Sequence, residues 1–267
     1  MNKKVIIKTP DEIVHIRAAC ALNASILDYI EPYIVPGIST EELDHIANAY
    51  VVGLGGKSAC IDYLGNNKWG KWGYTRYACI SVNNVICHGV PSKTEILKEG
   101  DILNFDASTI LGGYIWDCSR MYTVGSVSAA ARDLIRVTKK CLDLWVAQVR
   151  PGGKIGDIGY AISQYAESRK YSVVREYTGH GVWVQFHEEP VVWHKAPRGS
   201  GETMLPGMIF TIEPMINAGG YKTSLDPKDG WTVRTQDHSL SAQFEYAVLV
   251  TDTGHEVLTN WRWDSEF

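Results

Sequence analysis

GDILNFDASTILGGYIWDCSRM, from Gly100 to Met121, is the stretch that decides the fold. Two extended runs, Asp101–Ile110 and Tyr114–Met121, are rich in Ile, Phe, Tyr and Trp and flank Gly112-Gly113, which is a hairpin signature. With the chain reversing at Leu111-Gly112, Asp106 falls opposite Asp117. Directly opposed residues of an antiparallel pair have Cβ atoms only about 4.5–5.5 Å apart. Two ionised carboxylates at that spacing in an apolar ribbon need a cation, or one must hold a proton. The alternatives are that one Asp faces solvent or that the register slips.

Outward from the hairpin, the helical signals come in pairs. Thr9-Pro10-Asp11-Glu12 reads as an N-cap, a proline in the first turn and a closing capping box, with an apolar stripe running to about Ile30. Ser39 and Glu42 form a second capping box, opening a helix through about Val52. This αα unit recurs. Val35-Pro36-Gly37 before a helix is echoed by Arg150-Pro151-Gly152 before Gly156–Lys170, with a long helical pattern over Ala129–Val149 preceding it. The strands recur too: Gly100…Asp106 and Gly207…Glu213 each place a carboxylate six residues after a glycine. A duplicated unit implies two similar halves with a site at their seam. The strand-like segments Trp231–Arg234, Ser241–Thr251 and Glu256–Asn260, with a polar loop over Tyr221–Asp229, complete an α+β layout.

Composition narrows the class. The chain has 267 residues, 45% hydrophobic and 21% charged, which suits an ordinary globular domain large enough for one core. A formal charge of −4 offers neither a basic face for nucleic acid nor an acidic tail. The glycine- and tryptophan-rich loop Gly65–Gly73 therefore reads as a rim over a pocket rather than a base-stacking platform. No run of about 18 apolar residues suggests a membrane span, and the apolar run at the N-terminus is too short for a signal peptide. Six cysteines (20, 60, 79, 87, 118 and 141) make no CxxC pair. A reduced, cytoplasmic protein is expected.

Further ligand-type side chains sit on short segments. Glycines bracket His180, allowing close backbone approach, and Glu213 and Glu245 follow apolar neighbours, where an unpaired charge is expensive. Taken singly, each is also readable as a loop histidine or an exposed strand carboxylate. Together, DILNFDAS…WDCSRMY, TGHGV…FHEEP, PGMIFTIEPM, SLSAQFEY and the upstream CISVNNVICHGVP resemble, over essentially the whole chain, the signature segments of the type I methionine aminopeptidases.

The resemblance implies a pita-bread (creatinase/aminopeptidase) fold, two pseudo-symmetric αβ halves around a curved antiparallel sheet, as a single catalytic domain over residues 1–267. It implies two divalent ions held by Asp106, Asp117, His180, Glu213 and Glu245. Mixed oxygen and imidazole ligation suits Mn, Fe, Co or Zn, and the sequence does not choose. The implied reaction is hydrolytic removal of the initiator methionine from nascent polypeptide N-termini with a small second residue. Glu213 would shuttle a proton, His187 would steady the tetrahedral intermediate and His88 would contact the scissile amide. Cys60, Tyr74, Cys79, Phe186 and Trp231 match methionine-pocket positions, with Tyr63 as a weaker match; soft and aromatic walls suit a thioether. Asn83, Val85 and Ser241 match a Na⁺ or K⁺ site. A monomer with no membrane or specific nucleic-acid partner is expected, and ribosome association is left open.

Two departures from the family pattern stand out. The segment between Cys60 and Cys79 is several residues longer than usual. Trp183-Val184-Gln185 replaces small and basic residues before Phe186, which puts substrate handling in question. Two rivals remain: an aminopeptidase P or prolidase, which shares the five ligands but cleaves before proline, and a non-enzymatic pita-bread module.

Overall fold

The computed structural model describes residues 5–64 and 73–263, so the expected rim at Gly65–Gly73 lies, but for Gly73, outside the described residues. The hairpin runs as Ile102–Leu111 paired antiparallel with Tyr114–Thr123. Gly112 and Gly113 both take left-handed backbone, φ 60° and 89°, and make a two-residue turn. Leu111 therefore pairs with Tyr114, Asp106 faces Ser119, and Ser108 faces Asp117. The direct opposition of Asp106 and Asp117 is corrected to a diagonal one. Both aspartates still share one face, because strand side chains alternate with period two, and burial and then the Asp117 charge raise the Asp106 carboxyl.

The opposite face of the hairpin is packed. Phe105, Ala107 and Cys118 are fully buried there. Asn23, on the helix Pro10–Ile30, donates from Nδ2 to the Ala107 carbonyl at 2.7 Å and to Cys118 Sγ at 3.2 Å, seating the helix on that face. Both expected capping boxes form, Thr9 with Glu12 and Ser39 with Glu42, the second opening the helix Thr40–Gly53. By length and composition Pro10–Tyr33 passes as a candidate membrane span. Its Ile16, Cys20, Leu27 and Ile30 are nonetheless fully buried against protein, the pattern of a core helix.

The second half repeats the arrangement with the helices Ala129–Val146 and Ile155–Ser168, both ending earlier than the expected Val149 and Lys170. The expected strand Ser241–Thr251 is broken at Phe244-Glu245 and changes sheets: Ser241–Gln243 pairs with Met215–Asn217, and Tyr246–Val250 with Ile209–Ile212. The last strand is His255–Val257, not Glu256–Asn260. Within Tyr221–Asp229, Thr223–Leu225 forms a strand against Val233–Thr235, where a loop was expected. A lone bridge between Ser119 and Glu245, with the Glu245 amide donating to the Ser119 carbonyl at 3.0 Å, ties the halves together.

Truncating Phe105 to Ala removes a fully buried ring between hairpin and helices. It should cost about 3–5 kcal/mol, read as a lower denaturant midpoint at unchanged slope.

Candidate active site

The backbone pairing that joins the halves also gathers the candidate ligands. Asp106 pairs with Ser119, Ser119 bridges to Glu245, and Tyr246 pairs with Ile212, one residue before Glu213. His180 enters from the strand Gly179–Gly181, and its amide donates to the Thr211 hydroxyl at 3.0 Å. A Cβ at Gly179 or Gly181 would run into the carbonyl oxygens of Thr211 and Glu189, so glycine is what lets neighbouring strands close around the histidine.

The five side chains converge. Donor atoms of Asp117, His180 and Glu245 all lie within 4.8 Å of one another. His180 Nε2 stands 3.6 Å from Glu213 Oε1 and 3.8 Å from Asp117 Oδ2, too far for a hydrogen bond. Among the described residues, Asp106 Oδ1 and Glu245 Oε1 are buried with no hydrogen-bond partner. Burial, with Asp117 as the next cause, pushes the Asp106, Glu213 and Glu245 carboxyls well above the usual range. Asp117 is pushed up to about 6 by burial, against the pull of its Ser108 hydrogen bond. Burial, then the neighbouring His187, draws His180 down to about 3. Carboxylates that resist ionisation, orphaned oxygens and an unprotonated imidazole at one point fit a divalent cation.

The two histidines of the TGHGV…FHEEP segment are each held by a hydrogen bond at Nδ1. The Gly181 carbonyl, 3.0 Å from His180 Nδ1, can only accept, so Nδ1 carries the proton and Nε2 turns a lone pair to the carboxylates. His187 Nδ1 lies 2.6 Å from the Tyr63 hydroxyl. Burial raises the Tyr63 phenol and lowers His187 to about 4, so a neutral phenol meets a neutral ring. A hydroxyl both donates and accepts, so this contact orients the His187 ring without fixing its tautomer. Asp62 and Leu64, at φ 63° and 56°, hold Tyr63 between two left-handed residues. His88 is itself left-handed at φ 55°, and Tyr177 packs edge-on against its ring at 5.4 Å.

A cavity of about 330 Å³ opens onto this cluster. Cys60, Tyr74 and Cys79 form one buried apolar group with Tyr63, Phe186 and Trp231 packed against it, so the expected methionine-pocket residues meet in one wall. Tyr74 and Trp231 meet edge to face at 5.4 Å, as do Tyr63 and Phe186 at 4.8 Å. Cys79 pairs directly with Asp106, so this wall and the carboxylate cluster are cross-strand neighbours. Asn83, Val85 and Ser241 lie elsewhere: the Ser241 amide donates to the Asn83 carbonyl at 2.9 Å, while Asn83 and Val85 line a different hollow.

Four residues at the site were not anticipated: Tyr177 and three that hydrogen-bond the carboxylates. Ser108 donates to Asp117 Oδ1 at 2.8 Å, Thr211 to Glu213 Oε1 at 2.9 Å, and Gln243 to Glu213 Oε2 at 3.2 Å. Each is a polar residue two positions from a ligand (Asp106, Glu213 and Glu245), a spacing that puts it on the ligand's face of the strand. That signal was present in the sequence. Tyr177 had none beyond its place before Thr178-Gly179-His180.

The sequence model of metallopeptidase family M24 matches residues 14–252. The methionine aminopeptidase of Escherichia coli K12 is 46% identical over 256 residues, 96% of this chain and 94% of that protein. Methionine aminopeptidase A of Synechocystis is 43% identical over 97% of this chain and 99% of its own length. A crystal structure of methionine aminopeptidase from Rickettsia prowazekii superposes with a TM-score of 0.92 at 43% identity, covering 96% of this chain and 100% of that one. Prolidase from Pyrococcus furiosus, 21% identical with a TM-score of 0.77, covers 97% of this chain and 66% of that one and shares the fold. The α+β pita-bread arrangement is common to all of them.

Loading the chelated protein with Mn²⁺ at pH 7 should release protons, because the raised carboxyls hold protons that the ion displaces. Calorimetric heats should therefore differ between Tris and phosphate and converge as the pH is raised. Equal heats in both buffers at pH 7 would mean that the carboxylates are already ionised.

Proposed function

The chain belongs to metallopeptidase family M24, with hydrolytic removal of an N-terminal methionine as its activity, and we propose that it acts through two divalent ions held by Asp106, Asp117, His180, Glu213 and Glu245. The observation that carries this reading is the pairing of Cys79 with Asp106, which sets a sulfur- and ring-lined pocket beside the carboxylate cluster. When bound, the ions (Mn, Fe, Co or Zn) supply an acidified water and a polarised carbonyl.

The remaining work falls to side chains. Glu213, steadied by Thr211 and Gln243, takes the water's proton and passes it to the leaving amine. His187 presents Nε2–H to the carbonyl oxygen as charge develops there. His88 contacts the scissile amide. The methionine side chain enters the wall formed by Cys60, Tyr74, Cys79, Phe186 and Trp231, closed by Tyr63. Residues 1–267 act as one catalytic domain, a cytoplasmic monomer working on nascent N-termini with a small second residue. A Na⁺ or K⁺ at Asn83, Val85 and Ser241 would brace the seam away from the reaction.

Turnover of a Met-Ala-Ser peptide by the metal-reconstituted protein, without cleavage of an X-Pro peptide, is the expected result; the reverse preference would place the chain with the prolidases in function. Glu213→Ala and His88→Ala should abolish turnover while leaving the fold intact, and near-parental rates in either would refute its role. Tyr63→Phe removes the hydrogen bond that orients the His187 ring. It should lower kcat about three- to tenfold, the worth of one neutral hydrogen bond, with little change in KM.

A further inference from the structure

We propose that Lys8 is a positioning residue for this reaction: its buried ion pair with Glu188 holds the loop bearing Phe186 and His187 against the cavity. The proposal rests on the peptidase reading for what those two residues do. Lys8 precedes the N-cap of the first helix, and its amide donates to the Gly207 carbonyl at 2.9 Å, anchoring it to the second half. Its side chain is only 1% exposed and that of Glu188 6%, with Lys8 Nζ 3.4 Å from Glu188 Oε2. The same ammonium lies 4.8 Å from the centre of the Trp183 ring.

Glu188 uses its other oxygen on the loop itself. Oε1 accepts the amides of Val184 at 3.2 Å and Gln185 at 2.9 Å. Trp183 is tied down in turn, its carbonyl accepting the Ile115 amide at 2.8 Å. Trp183, Val184 and Gln185 are thus the ring under the ammonium and the two amides on the carboxylate. Phe186 and His187 follow immediately, and Glu188 pairs with Gly181, beside His180. A carboxylate this deep is held by a matching cation, and removing one partner leaves a buried charge uncompensated. The loop then loses its anchor just where Phe186 touches the pocket wall and His187 meets Tyr63.

The test compares the metal-reconstituted parent with Lys8→Met, Glu188→Gln and the double variant. Lys8→Met should keep a cooperative melt and parental metal content. Its kcat/KM on Met-Ala-Ser, per metal-loaded enzyme, should fall about ten- to a hundredfold, with KM rising as well as kcat falling. The nitrogen NMR shifts of the His187 ring should show Nδ1 losing its hydrogen bond. The double variant should recover most of the loss, since the amide oxygen introduced by Glu188→Gln still accepts the loop amides and no charge is stranded. Parental kinetics with unchanged His187 shifts in Lys8→Met would overturn the proposal. So would a loss that vanishes once normalised to folded, metal-loaded protein. Should Lys8→Met not fold, Lys8→Gln is read the same way. Failure of the parent itself to cleave would sink the peptidase reading instead, while the His187 shifts still report whether Lys8 holds the loop.

Discussion

Mutual repulsion among four buried carboxylates is the constraint on which the rest of this structure depends. Were they ionised, two unit charges about 4 Å apart would repel by roughly 4 kcal/mol at an effective dielectric of 20. Burial together with that repulsion raises the Asp106, Glu213 and Glu245 carboxyls. Asp106 and Asp117 come from the first half, Glu213 and Glu245 from the second. Main chain links the two pairs through the bridge from Ser119 to Glu245. A divalent ion at that point converts the repulsion into attraction across the seam, so metal occupancy and the closure of the two halves are linked equilibria.

Polarity is arranged around that centre by hydrogen bonds that leave little freedom. His180 is forced by a carbonyl acceptor to offer a lone pair, whereas the His187 ring is oriented by the Tyr63 hydroxyl. Their rings stand 4.2 Å apart, so the two imidazoles are set within one van der Waals contact. His180 could not exchange tautomers without setting a lone pair against the buried Gly181 carbonyl, which costs more than the bond itself is worth. The serine, threonine and glutamine behind Asp117 and Glu213 serve the same end, fixing carboxylates that would otherwise rotate away from one another.

What could be read beforehand follows the range of the physics involved. The caps at Thr9 and Ser39 depend on residues three apart and were legible outright. The hairpin was legible, but its register was not, since moving the turn to Gly112-Gly113 shifts every pairing while leaving the alternation intact. The candidate ligand and pocket residues came from resemblance to a family rather than from spacing alone. The break at Phe244-Glu245, where one strand serves two sheets, has no local signal, because only the partners make it necessary. Lys8 and Glu188 lie 180 residues apart, and nothing in either neighbourhood announces the other. Trp183 looked like an anomaly for the same reason: its ring packs against a charge that only the folded chain delivers.

The pairing of Cys79 with Asp106 also bears on how selective such a pocket can be. Burying a methionine-sized side chain is worth about 1.5–3 kcal/mol, and sulfur–aromatic contact adds about 0.3–1.5 kcal/mol. A leucine would recover much of the first term, and a methylene more or less shifts binding by only about 1–3 kcal/mol. Affinity alone therefore discriminates weakly. Placement adds the missing selectivity, because a side chain that seats imperfectly in a rigid wall moves the scissile bond by the same amount, and misplacement by about 1 Å costs roughly a hundredfold in rate. That amplification works only if the wall and the reacting centre cannot move independently. Adjacent strands of one sheet meet this condition for Cys79, whereas Phe186, which sits on a loop, needs its anchor from elsewhere in the chain.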